Sequence, residues 1–228
     1  MKKLVVLAAI IIAAWSCCNN QPKQAEAAAA ETQTLTKEQN DSLYYRAKVL
    51  VVVDVQKDFF DPNGSLYVPG GEKITAKIAK AAKSYDGVIF TLDWHPGNHC
   101  SFKDNGGIWP AHCVQYTEGA GLADDFKPIL AEGPMKVQIF LKGTEQDKEP
   151  YGAFENLDEN STIYKWLTNA DQIDVCGLAG DYCVKESAKN IVNLTGAANV
   201  AVLTDLICSI DDGTGLRNFI DETGVTSK

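Results

Sequence analysis

Three histidines and one aspartate could together hold a metal ion. The chain has only three histidines, all within eighteen residues, and an aspartate comes two residues before the first. The four residues are Asp93, His95, His99 and His112. Imidazole and carboxylate groups are the usual ligands of zinc, iron and manganese. A single loop histidine is more often a solvated side chain, but this group predicts a site for one divalent metal ion. Zinc is expected first, with iron and manganese as alternatives.

A cysteine stands where a predicted strand passes into a predicted helix. Cys183 follows the turn Gly177-Leu178-Ala179-Gly180. The positive end of a helix dipole lowers the pKa of a nearby thiol, and backbone N–H groups at such a corner can hold an oxyanion. The alternative is a small buried apolar residue, which is how we interpret Cys176 and Cys208. The corner position favours a nucleophile at Cys183.

Ionisable residues also come directly after three apolar runs. They are Asp54, Asp93 and Lys142. Each aspartate could instead cap the following helix. However, ligands of parallel sheets bind outside the carboxyl ends of the strands, so the repeated pattern predicts one shared site.

Five short apolar runs are predicted to be the strands that position these groups. They are Val49–Val53, Val88–Leu92, Val137–Leu141, Ile173–Leu178 and Val200–Thr204. Helical patterns lie between them, at 72–83, 161–169 and 182–194. Alternating strands and helices predict an α/β fold, with a parallel β-sheet flanked by helices on both faces in a Rossmann-like three-layer sandwich. The long loop 93–134 carries the histidines, and an ordered loop of that length is usually functional.

The composition suits one globular domain, predicted over residues 44–228. The chain has 228 residues, 45% of them hydrophobic, and a formal net charge of −9. No basic stripe is present, so nucleic-acid binding is not expected.

The N-terminal residues predict an exported, lipid-anchored protein. Residues 1–17 combine two lysines with an apolar run too short to span a bilayer, and they end at Cys17, the candidate lipidated residue of a lipoprotein-type signal peptide. Ordinary secretion is the alternative. Residues 18–43 are polar or alanine-rich and predict a flexible tether. We expect a bacterial envelope location on the membrane, or a cytoplasmic one if the leader is not a signal.

Five separated motifs give the chain a clear resemblance to the nicotinamidase branch of the isochorismatase-like cysteine hydrolases. The motifs begin at Asp54-Val55-Gln56-Lys57-Asp58-Phe59, Asp93-Trp94-His95-Pro96-Gly97-Asn98-His99, Trp109-Pro110-Ala111-His112-Cys113, Phe140-Leu141-Lys142-Gly143-Thr144 and Gly177-Leu178-Ala179-Gly180-Asp181-Tyr182-Cys183. The resemblance covers about residues 48–210 and implies an amide hydrolase of the isochorismatase-like fold. Its expected reaction is hydrolysis of nicotinamide to nicotinic acid and ammonia, a step of NAD salvage.

The resemblance also implies a role for each catalytic residue. Cys183 would attack the carboxamide and form a thioester, Asp54 would transfer protons, and Lys142 would favour the thiolate. Backbone N–H groups of Ala179 and Cys183 would form the oxyanion hole, after a cis Leu178–Ala179 peptide.

The remaining implied residues bind metal and substrate. The ion would be held by Asp93, His95, His99 and His112 and would orient the pyridine ring of the substrate. The ring would lie against Phe59 and Trp109, while Tyr151 and Phe154 would close the pocket.

Some features of the chain depart from the family or leave alternatives open. Gly180 stands where relatives usually carry threonine or another residue with a side chain, and its flexibility is expected to weaken the predicted oxyanion hole. Tyr116 and Glu118 replace small residues or proline at the expected pocket rim. Another small heteroaromatic amide could be the substrate, or the chain could be a non-catalytic metal- or ligand-binding surface lipoprotein. The sequence also leaves open a homo-oligomer and the pairing of Cys100 with Cys113.

Overall fold

The computed structural model describes residues 45–228. The predicted signal peptide, Cys17, the whole of the predicted tether and its boundary with the domain lie outside these residues, so those predictions stay predictions. Within residues 45–228, no helix is long and apolar enough to cross a membrane.

A six-stranded parallel sheet forms the centre of the described part of the chain. Its strands are β1 (Lys48–Val53), β2 (Gly87–Asp93), β3 (Val137–Lys142), β4 (Gln172–Gly177), β5 (Val200–Ile207) and β6 (Thr226–Ser227). Their order in the sheet is β3-β2-β1-β4-β5-β6, and every neighbouring pair is parallel. The predicted α/β fold is therefore confirmed, and each of the five apolar runs forms a strand.

Helices cover both faces of this sheet. The α-helices are α1 (Lys57–Phe60), α2 (Thr75–Ala82), α3 (Lys127–Leu130), α4 (Thr162–Asn169), α5 (Lys185–Thr195) and α6 (Thr214–Thr223). Side chains of β1 alternate between the two faces: Val49, Val51 and Val53 pack with α4, α5 and α6, while Leu50 and Val52 pack with α2 and α3. Because both faces are covered, β1 is apolar at every position after Lys48.

The helix predictions were correct in place but not in detail. The segment predicted at 72–83 begins as the 3₁₀ turn Gly71–Lys73 before α2. The segment predicted from 182 starts in one π-helical turn, Gly180–Val184, before α5. The long loop after β2 contains three 3₁₀ turns and α3, so it is ordered, as predicted for a functional loop.

The strand order reverses between β1 and β4, and ligands of such sheets bind at this point. Gly177, at the end of β4, has a φ of +119°, and a Cβ atom there would lie 2.1 Å from the carbonyl oxygen of Val53. Only glycine permits this approach, which holds the ends of β1 and β4 together. Asp54 and the turn that leads to Cys183 leave the sheet side by side here.

Candidate active site

A buried lysine contacts the two other predicted catalytic residues and one predicted metal ligand. Lys142 ends β3, and its Nζ lies 2.9 Å from Oδ2 of Asp54 and 3.6 Å from Sγ of Cys183. The same ammonium forms an ion pair with Asp93, at the end of β2. All four side chains are at least nine-tenths buried. The structure therefore brings together residues that are far apart in the sequence.

Burial sets the protonation of Asp54. It raises the pKa of this carboxyl to about 6, even though the neighbouring Lys142 ammonium acts in the opposite direction. Thr91 fixes the group by donating a hydrogen bond of 2.6 Å to Oδ1. A carboxyl whose pKa lies near neutrality can both accept and return a proton.

The thiol of Cys183 differs from the sequence-based expectation. A helix dipole was expected to lower its pKa, but burial raises that pKa well above its usual value, although Lys142 acts to lower it. The thiol is therefore protonated at rest and needs a base to become a nucleophile. Oxygens of Asp54 and Asp93 and the sulfur of Cys183 all fall within 4.8 Å of one another. Of these two carboxylates, Asp54 is the better proton acceptor, because its pKa is raised whereas that of Asp93 is lowered.

The corner around Cys183 is tightly fixed. The Leu178–Ala179 peptide is cis, as the resemblance implies. The N–H of Gly180 donates to the carbonyl of Cys208 (2.8 Å), and the N–H of Val184 donates to that of Ala179 (3.0 Å). These bonds hold the backbone on both sides of the predicted oxyanion hole.

Of the four predicted metal ligands, Asp93, His95 and His112 lie close together. Oδ2 of Asp93 lies 3.6 Å from Nε2 of His95 and 3.9 Å from Nε2 of His112. Gln56 fixes Asp93 from both sides, accepting from its N–H and donating to its carbonyl. In the free site, burial acts to raise the pKa of Asp93, but Lys142, His95 and His112 hold it below its usual range.

The histidine tautomers leave lone pairs aimed at this carboxylate. Nδ1 of His95 lies 2.9 Å from the carbonyl of Gly143, and Nδ1 of His112 lies 2.8 Å from that of Pro110. A carbonyl only accepts, so both Nδ1 atoms carry a proton. When these rings are neutral, as metal binding requires, each Nε2 atom therefore has the lone pair. Nε2 of His95 is buried and has no hydrogen-bond partner within the described part of the chain. This donor set suits a divalent metal ion.

His99 is placed differently from the other predicted ligands. Its ring stacks on that of His95, with centroids 4.0 Å apart. Nε2 donates to the carbonyl of Lys148 (2.8 Å), so Nδ1 holds the lone pair and accepts from the Ser101 hydroxyl (2.7 Å). The structure thus brings His99 to the cluster but engages both of its nitrogens.

A cavity lies between the metal-site residues and Cys183. Its lining includes all three predicted substrate-binding residues, which are Phe59, Trp109 and Tyr151. Nε1 of Trp109 donates to the hydroxyl of Tyr151 (3.1 Å). Tyr182 contacts the rings of Trp109 and Tyr151 and was not predicted.

Other residues expected at the cavity lie elsewhere. Phe154 is buried against Phe140 in the core and does not line this cavity. Tyr116 is 89% exposed and contacts Trp94, and Glu118 pairs with Lys57 on the surface. All five cysteines of residues 45–228, including Cys100 and Cys113, are free.

Comparisons with known proteins agree with this fold. The isochorismatase domain model matches residues 48–219. The nicotinamidase/pyrazinamidase of Mycobacterium tuberculosis is 38% identical to this chain, covering 73% of it and 89% of the relative. The structure of a Pyrococcus horikoshii pyrazinamidase in complex with zinc has a TM-score of 0.67 and 33% identity, covering 80% of this chain and 98% of the other. A protein from L. infantum in complex with nicotinate has a TM-score of 0.69 and 32% identity, covering 80% and 92%.

The chain therefore belongs to the isochorismatase family. Within that family it falls in the nicotinamidase branch, as its five motifs indicated.

Proposed function

We propose that this protein is a nicotinamidase, which hydrolyses nicotinamide to nicotinic acid and ammonia and so serves NAD salvage. The observation that carries the proposal is the convergence of Asp54, Lys142 and Cys183 on a cavity with aromatic walls. A flat aromatic amide fits between Phe59 and Trp109 with its carboxamide toward the thiol.

The first half of the proposed reaction forms a thioester. Asp54 accepts the thiol proton of Cys183, and the sulfur attacks the carboxamide carbon. Backbone N–H groups of Ala179 and Cys183 hold the negative oxygen of the tetrahedral intermediate. Asp54 then returns the proton to the leaving nitrogen, and ammonia departs.

The second half of the reaction releases the acid. Asp54 removes a proton from a water molecule, which attacks the thioester carbon. The carbon–sulfur bond breaks, nicotinic acid leaves, and the proton returns to the thiolate of Cys183. Lys142 keeps its charge throughout, because Asp54 and Asp93 raise its pKa well above the usual value although burial acts to lower it.

We assign the metal to Asp93, His95 and His112, and His99 would join them if it released Ser101. Zinc is the proposed ion, supported by the donor set and by the zinc complex of the Pyrococcus protein. When bound, the ion supplies a Lewis-acid position for the pyridine nitrogen, which orients the ring.

Turnover of nicotinamide tests this function directly. Purified protein should release ammonia and nicotinic acid in equal amounts, and the Cys183→Ala variant should release neither. Cys176→Ala is the matched control, because Cys176 is a buried thiol that does not line the cavity. Rates on pyrazinamide and on a simple aliphatic amide would identify another preferred amide. Tight nicotinamide binding without turnover, and with Cys183 unreactive toward iodoacetamide, would instead indicate a binding protein.

We also propose that the protein acts from the bacterial envelope, anchored through lipidated Cys17. The lysines and apolar run before Cys17 and the polar segment after it support this location. Labelled palmitate should be incorporated into the parent and not into Cys17→Ser. Processing that is insensitive to globomycin, or an unlabelled parent, would favour a cytoplasmic enzyme.

A further inference from the structure

One carboxylate beside the metal-site residues has no role in the proposed reaction. Glu149 lies in the segment after β3 and lines the same cavity as Asp93 and His112. Its Oε2 atom is buried, and no hydrogen bond from the described residues reaches it. Burying a carboxylate oxygen without a partner costs free energy, and a cation bound beside it would offset that cost.

The nearest groups to Glu149 are metal-ligating in type. Its Oε2 atom lies 3.6 Å from Nδ1 of His99, and ligand atoms of His95, His99 and Glu149 all fall within 4.8 Å of one another. His95 therefore belongs to two overlapping groups, one with Asp93 and His112 and one with His99 and Glu149. The lone pair of His99 accepts a hydrogen bond from Ser101. Within the second group, Glu149 therefore offers a ligand oxygen that no hydrogen bond from the described residues occupies.

The segment that carries Glu149 is held against the histidine loop. The N–H of Cys100 donates to the carbonyl of Gln146 (2.7 Å), and Nε2 of His99 donates to the carbonyl of Lys148 (2.8 Å). These two bonds lie just before Glu149 in the chain, so its place beside His95 is built into the fold.

The balance of charges in this region also favours a bound cation. Asp54, Asp93 and Glu149 bring three carboxylates to this region, and Lys142 brings one ammonium. A divalent cation would neutralise the remaining difference of two charges, and buried charges are stable only when they are paired or bound to a metal.

We propose that Glu149 contributes a carboxylate oxygen to the metal centre, in addition to Asp93, His95 and His112. This inference rests on the metal site of the proposed function but does not require turnover of nicotinamide. Its ligand chemistry is that of a divalent cation, for which Zn²⁺ is the probe.

The test is the affinity of the full-length, metal-stripped protein for Zn²⁺, measured by competition with a chromophoric chelator. Glu149→Gln keeps the shape of the side chain and removes its charge, and it should weaken zinc binding by about 10- to 100-fold. Glu145→Gln is the matched control, since Glu145 lies in the same segment, is exposed and pairs with Lys148. It should bind zinc about as tightly as the parent, because an exposed ion pair away from the cavity contributes little.

Other outcomes would overturn the inference. Zinc affinity of Glu149→Gln equal to that of the parent would remove Glu149 from the centre and leave the other ligands standing. Unchanged binding by Asp93→Asn would show that zinc binds elsewhere, and a parent that binds no zinc would overturn both metal assignments. Absence of turnover with Glu149-dependent zinc binding would contradict the proposed function alone. Visible absorption of the Co²⁺-loaded proteins gives a second readout: it should differ between parent and Glu149→Gln and agree between parent and Glu145→Gln.

Discussion

At the residue scale, the site depends on one cation shared by two carboxylates with different tasks. Lys142 contacts both Asp54 and Asp93. Burial acts to raise the pKa of Asp93, but Lys142 and the two histidines that Asp93 faces keep it low. The carboxyl of Asp54 lies beside Thr91, Lys142 and the thiol of Cys183, and burial brings its pKa to about 6. Environment alone thus separates the carboxylate proposed to bind metal from the one proposed to transfer protons.

Replacing Asp54 tests this division of tasks. Asp54→Asn should lower kcat/KM for nicotinamide by about 10² to 10⁴, the usual contribution of a general base. It should also slow the alkylation of Cys183 by iodoacetamide, because the thiol loses its proton acceptor. Asp205→Asn is the control, as Asp205 is exposed within β5. Activity of Asp54→Asn above about a tenth of the parent's would assign the base elsewhere.

At the element scale, the turn between β4 and α5 explains the glycine that departs from the family pattern. A Cβ atom on Gly180 would lie 2.4 Å from Oγ of Ser209 and 2.7 Å from Cγ2 of Ile207. The end of β5 and the residues after it therefore fill the space that a threonine would need. Gly180 is buried and hydrogen-bonded to Cys208, so this glycine does not loosen the oxyanion hole as its type first suggests.

Adding a methyl group at this turn should be destabilising. Gly180→Ala should lower the free energy of unfolding by about 1–3 kcal/mol, the usual cost of overpacking. Gly215→Ala is the control. Gly215 lies in helix α6, where alanine is favoured, and a Cβ atom there would have no contact closer than 3.9 Å. Urea unfolding followed by circular dichroism compares the two. Equal stability of Gly180→Ala and the parent would mean that Ser209 and Ile207 move aside at little cost.

The elements that the sequence predicted well are those with a strong hydrophobic pattern. The run Val49–Val53 and its four counterparts were predicted as strands buried on both faces, and the residues that follow them had to share one edge of the sheet. Burial on both faces holds for β1 but not for the edge strand β3, where Ile139 and Leu141 are exposed. The two-residue strand Thr226–Ser227 carries no such pattern and was missed. Residues placed by loops were missed too: Glu149 stands in a charged segment with no periodicity, and only contacts with the histidine loop bring it to the site.

The electrostatics of the site could not be predicted from sequence position alone. Cys183 stands at the corner where a helix dipole should lower its pKa, yet complete burial outweighs that effect. The orientation of His99 likewise depends on Ser101 and Lys148, whose roles no spacing rule indicates. Residue types identified the candidate site residues, while burial and hydrogen-bond partners determined their protonation and orientation.

At the scale of the whole molecule, the metal-site residues come from separate parts of the chain. Asp93 ends β2, His112 lies in the loop that follows, and Gly143 after β3 holds His95 through its carbonyl. A Cβ atom on Gly143 would lie 2.3 Å from the His95 ring, so β3 and the histidine loop are closely fitted. An ion bound to these groups would connect them in the folded state and find no such arrangement in the unfolded one.

Removing the metal should therefore lower the stability of the entire described domain. Stripped protein should unfold at a lower temperature than zinc-loaded protein, and free zinc at about 100 times its Kd should add about 2.7 kcal/mol to the free energy of unfolding. Differential scanning calorimetry with increasing zinc measures the effect. His112→Gln should show a much smaller shift. An equal shift in that variant would mean that zinc stabilises the protein from another site.

The order of the strands determines how late in refolding the predicted active site can form. Asp54 and Lys142 stand at the ends of β1 and β3, and Cys183 lies in the turn that follows β4. Strand β1 pairs with β2 and β4 on either side, while β3 joins the sheet through β2. Every one of these pairings is parallel and links distant segments, which makes them slow to form compared with local helices. During refolding, helical circular dichroism should therefore return earlier than nicotinamide turnover. Recovered catalysis would report that the sheet has closed from β3 to β4, which recovered helicity alone would not.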